Sequence, residues 1–95
     1  MDLEDWRNKI DGLNEQILAL LNERARCAVA VGALKRESGQ PLHAPERETL
    51  ILNRIRELNQ GPLSDEAAQR IFRQVIDESL RLEQDHCEGE EDPSA

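Results

Sequence analysis

Apolar residues in the first third of the chain recur at alternating steps of three and four. Leu3, Trp6, Ile10, Leu13, Ile17, Leu20, Arg24, Cys27, Val31 and Leu34 form the row, with one arginine inside it. This is the seam of a long packed helix, and no proline interrupts residues 3–36. At about 1.5 Å per residue such a helix is roughly 50 Å long. A compact chain of this size has a radius of gyration of only about 13 Å. Too little chain remains to cover the apolar face, which predicts a partner, most simply a second copy. Ser38, Gly39, Gln40 and Pro41 break the helix. Pro45 suits a first helical position, with Glu46 in the first turn. The second helix then runs to about Asn59, with Ile51, Ile55 and Leu58 on one face, until Gln60, Gly61 and Pro62 stop it. Ser64 is an N-cap followed by Asp65 and Glu66. The third helix carries Ala68, Phe72, Val75 and Ile76 on its apolar face and is expected to fade near Gln84. The reading is an all-α domain over residues 1–84, one long helix and two shorter ones, with a disordered acidic tail over 85–95.

Composition narrows the partners. Of 95 residues, 12 are Lys or Arg and 20 are Asp or Glu, a formal charge of −8. Nucleic acid is not expected as a partner, because phosphate binding needs a basic footprint. Six of the acids lie at or after Glu83 and no Lys or Arg follows Arg81, so residues 1–82 carry 12 − 14 = −2. No apolar run approaches the roughly 20 residues of a membrane span, and the first residues do not read as a signal peptide. A cytoplasmic protein is therefore expected. Cys27 and Cys87 have no metal-type spacing, so neither a zinc site nor a disulfide scaffold is expected.

The informative polar residues interrupt apolar rows. Arg24 sits in the seam, where a guanidinium must be paired or bind something; it either fixes helix register or holds an anion. Lys35 closes the first helix, where the helix dipole alone accounts for a cation. Arg47 shares a face with Ile51, Ile55 and Leu58, and Glu48 beside it makes a surface ion pair the simpler alternative. Ser79 and Glu83 continue the row of Ala68, Phe72 and Val75/Ile76. Ser79 either bonds back to a helix carbonyl or faces a site. Glu83 is either the start of the tail or a buried acid whose pKa rises. Arg7 lies about 25 Å from Arg24 along one helix. In an antiparallel pair of long helices residue i faces residue 39 − i, which brings the partner's Arg7 to position 32, between Arg24 and Lys35. A two-fold dimer then builds two cationic pockets for a small polyanion, a dicarboxylate or a phosphate. The sequence shows no Ser/His/Asp set, no Cys–His pair, no glycine-rich phosphate loop and no metal cluster; His43 and His86 fall in a loop and the tail.

Residues 3–11 (LEDWRNKID), 20–24 (LLNER), 31–35 (VGALK), 45–48 (PERE) and 71–79 (IFRQVIDES) resemble, in order and spacing, the all-helical (AroQ-class) chorismate mutases. These are stand-alone enzymes or the N-terminal domains of bifunctional chorismate mutase/prephenate dehydratases. The resemblance implies an intertwined three-helix homodimer and the Claisen rearrangement of chorismate to prephenate, on the route to phenylalanine and tyrosine. That pericyclic reaction needs no cofactor or nucleophile. The resemblance also implies that Arg24, Arg47 and the other chain's Arg7 hold the two substrate carboxylates. Lys35 and Glu83 would donate to the ether oxygen, and Glu48 would accept from the ring hydroxyl. Ser79 would help position a carboxylate, with Val31 and Ile76 as apolar walls. Ala44 stands where many members have an acid, a feature shared with the isochorismate–pyruvate lyases of the same fold. Glu48 and the link Gly61-Pro62-Leu63-Ser64 favour the mutases. A helical dimerisation module without chemistry is the reading from another class.

Overall fold

A computed structural model describes residues 1–91, of which 87–91 as helical backbone alone. The chain forms three helices, α1 (Leu3–Ser38), α2 (Pro45–Leu58) and α3 (Asp65–Glu91), and no strand among the described residues. Each boundary has a local chemical cause. Asp2 accepts from the Asp5 amide at 2.9 Å, and the Asp5 carboxylate accepts from the Asp2 amide at 3.0 Å. This reciprocal box satisfies two of the free amides at the start of α1. At the far end Gly39 turns left-handed, with φ 74°, and Gln40 donates to the Lys35 carbonyl at 2.8 Å. Only glycine adopts that conformation without strain, so α1 ends there, two residues beyond the predicted stretch. Pro45 opens α2 at its first turn, with no side-chain cap from Ala44. Asn59 braces the next turn, donating to the Leu63 carbonyl at 2.8 Å and to Asp65 at 2.9 Å. The Ser64 hydroxyl accepts from the Ala67 amide at 3.0 Å, the cap expected for α3.

One boundary is corrected. Helix α3 does not fade near Gln84 but continues to Glu91. Residues 85–91 contain no proline, and Glu is a good helix former, so low hydrophobicity alone does not end the helix. Residues 92–95, the remainder of the segment expected to be disordered, lie outside the described residues.

Both α1 and α2 pack on α3, and α1 and α2 make no packing contact with each other among the described residues. Ala68, Ile76 and Gly32 are buried, so the core of the single chain is thin. The radius of gyration is 16.9 Å and the extents are 55 × 32 × 14 Å. That is an open angle rather than a ball of about 13 Å radius. From Leu3 to Glu23, Gly12 excepted, every residue of α1 is exposed. The apolar seam is therefore real but bare within one chain, with Trp6 at 51 % and Ile17 at 54 % exposure. No described helix is long and apolar enough to cross a membrane.

Candidate active site

The gap between α1 and α2, floored by α3, is a cavity of about 280 Å³. Arg24, Val31 and Lys35 reach it from α1, Arg47 and Glu48 from α2, and Ile76, Ser79 and Glu83 from α3. These are eight of the nine side chains singled out in the sequence. Their helical spacing explains the convergence: 24, 31 and 35 fall on one stripe, as do 76, 79 and 83. Arg7, the ninth, is exposed near the start of α1 and does not line the cavity.

The Arg24 guanidinium donates to the Ser79 hydroxyl, and Ser79 in turn donates to the Val75 carbonyl at 2.9 Å. Ser79 thus bonds back to its own helix and also fixes the seam arginine, joining α1 to α3. The Lys35 ammonium donates to the Leu42 carbonyl at 2.8 Å, which ties the end of α1 to the connection leading into α2. Arg47 is exposed and lines the cavity without an ion pair to Glu48. Glu48 is bound from the other side. Its Oε1 accepts from Arg73 at 2.7 Å, and its Oε2 lies 3.3 Å from His43 Nε2.

Glu83 is buried, with 7 % of its surface exposed, so it is not the fraying start of a tail. Burial pushes its carboxyl above the usual carboxylate range, opposed by the nearby charges of Lys35 and Arg24. Gly32 makes this burial possible: a Cβ there would lie 3.1 Å from Glu83 Cγ and 3.3 Å from its Cβ. Three cations (Arg24, Lys35, Arg47) face two carboxyls (Glu48, Glu83), and protonation of Glu83 would leave a net charge of 3 − 1 = +2. The site suits a dianion. No group of three or more His, Cys, Asp or Glu that could hold a metal occurs among the described residues.

The sequence profile described as chorismate mutase type II matches residues 6–84. The chain belongs to the chorismate mutase type II family. It is 49 % identical over 77 residues to a bifunctional chorismate mutase/prephenate dehydratase of Neisseria gonorrhoeae, covering 81 % of this chain and 21 % of that protein. It is 33 % identical over 87 residues to a chorismate mutase of Methanocaldococcus jannaschii, covering 90 % of this chain and 88 % of that one. The crystal structure of the chorismate mutase from Helicobacter pylori in complex with prephenate superposes with a TM-score of 0.83 at 27 % identity, over 90 % of this chain and 93 % of that one. The chain spans about a quarter of the length of the bifunctional relatives it matches.

Three contributors to the cavity and its surroundings had no role assigned from the sequence. Gly32 has no side chain with which to break an apolar row. The Leu42 carbonyl is a backbone group. Arg73 joins the site only through Glu48, 25 residues earlier, and no local spacing links them.

Proposed function

We propose that this chain catalyses the rearrangement of chorismate to prephenate as a homodimer. The observation that carries the proposal is the convergence of Arg24, Lys35, Arg47, Glu48, Ser79 and Glu83 on one cavity between three helices. The chorismate mutases it resembles, one of them solved in complex with prephenate, point to the same reaction. In this reading Arg24 and Arg47 grip the substrate carboxylates, and Ser79 holds the Arg24 guanidinium in place. Arg7 of the partner subunit completes the grip, arriving beside Gly32 if the bare seams of two α1 helices pack about their midpoint. Fixing both carboxylates selects the conformer in which the bond-forming carbons face each other. As the C–O bond breaks and the C–C bond forms, negative charge grows on the ether oxygen. Lys35 and protonated Glu83 donate to that oxygen and stabilise the transition state more than the ground state. Glu48 accepts from the ring hydroxyl, and Val31 and Ile76 wall the apolar side of the ring. No step needs a covalent intermediate or a cofactor.

The test is direct. Purified protein is incubated with chorismate and, separately, with isochorismate, and the products are identified by NMR. Prephenate from chorismate with little turnover of isochorismate is the expected result. Pyruvate and salicylate from isochorismate would assign the lyase reaction, and a folded dimer that transforms neither would leave an interaction module.

A further inference from the structure

Among the described residues Glu48 is the only acid lining the cavity, apart from Glu83, whose burial favours its neutral form. Nothing within the cavity accounts for its orientation. Its carboxylate is held from behind by Arg73, which stands on α3 outside the lining residues, 43 % exposed at its side chain, while Glu48 is 13 % exposed. The 2.7 Å contact is the length of a strong charge-assisted bond. Asp77, one turn along α3 from Arg73, is a looser second partner at 3.6 Å. An ordinary surface pair contributes little. This one differs because one member is largely sheltered and because it joins α3 to α2. With Oε1 on Arg73 and Oε2 beside His43, the carboxylate keeps unused lone pairs, since each oxygen accepts two hydrogen bonds. Released from Arg73, it would have the cavity's own cations, Lys35 and Arg47, to turn to. That would cancel charge that the substrate carboxylates need.

We propose that Arg73 is a positioning residue: it holds the Glu48 carboxylate turned to accept from the substrate's ring hydroxyl and keeps it off Lys35 and Arg47. The inference rests on the mutase reading above. Because the hydroxyl contact exists in bound substrate and transition state alike, its loss is expected to raise KM more than it lowers kcat.

The experiment measures kcat and KM for chorismate in the wild type, Arg73→Met, Arg73→Lys, Glu48→Gln and the double variant Arg73→Met/Glu48→Gln. We expect Arg73→Met to raise KM roughly tenfold with kcat changed less than about twofold, the scale of one hydrogen bond to a charged group. Arg73→Lys recovers part of the loss and serves as the probe if the Met variant does not fold. In the Glu48→Gln background Arg73→Met has no further effect, because the two residues act as one unit. Equal losses in both backgrounds, a loss confined to kcat, or a variant indistinguishable from an active wild type would overturn the role of Arg73 alone. A folded wild type that makes no prephenate would overturn the mutase reading and this inference with it.

Discussion

Glu83 sets the expected pH behaviour. Its carboxyl takes up a proton more readily in the folded chain than in the unfolded one, because burial penalises the anion more than Lys35 and Arg24 favour it. The folded state thus binds more protons than the unfolded state between the unfolded and folded pKa values. Glu83 therefore favours folding at the acid end of that window, and the benefit is lost as pH rises through the raised value. Activity that needs the protonated acid falls in the same direction. Glu83→Gln keeps a donor without a titration, so kcat/KM against pH is expected to flatten; a profile unchanged from wild type would remove Glu83 from proton donation. At this scale most of the site could be read in the sequence, since Arg24, Ser79 and Glu83 each break an apolar row. The sequence left open whether Ser79 bonded to its helix or faced a cavity, and in the structure it donates to the Val75 carbonyl while lining the cavity and accepting from Arg24. Arg73 was illegible because its meaning lies in a contact between two helices.

Among elements, α3 carries the most. Among the described residues it is the only helix that touches both others, and it brings Ser79 and Glu83 under α1. The close approach at Gly32 makes that packing testable. In Gly32→Ala the added Cβ would crowd Glu83 at 3.1 Å. Alanine also raises helix propensity by roughly 1 kcal/mol. Thermal unfolding is expected to move little while kcat falls several-fold; unchanged kcat would mean that Glu83 gives way freely and that its depth in the cavity is not critical. The starts of α2 and α3 were legible from the Pro45 and Ser64 signals, because helix initiation is local chemistry; the Asp2 box at the start of α1 emerged only in the structure. The end of α3 was not, because an acidic run says that no core forms without saying that the backbone uncoils.

For the whole molecule, the proposed homodimer would cover the bare seam of α1 and bring Arg7 to the partner's cavity. Mixing variants tests this. Arg7→Ala and Arg24→Ala homodimers should each be nearly inactive. A hybrid of the two has one site with its own Arg24 and Arg7 of the partner subunit. After unfolding and refolding together in equal amounts, about a quarter of wild-type activity is expected, since half the dimers are hybrids with one good site of two. No recovery would place Arg7 outside the partner's site. The lack of packing between α1 and α2 has a mechanical consequence. Among the described residues they are coupled through α3, through the connecting residues 39–44 and through the Lys35 hold on the Leu42 carbonyl. In the proposed mechanism a bound dicarboxylate, gripped by Arg24 from one bank and Arg47 from the other, would be the missing crosspiece. An unreactive substrate analogue at about one hundred times its Kd should add about 2.7 kcal/mol to the folded state. The upward shift in melting temperature should vanish in Arg47→Ala, so that the ligand acts as a strut of the architecture as well as its cargo.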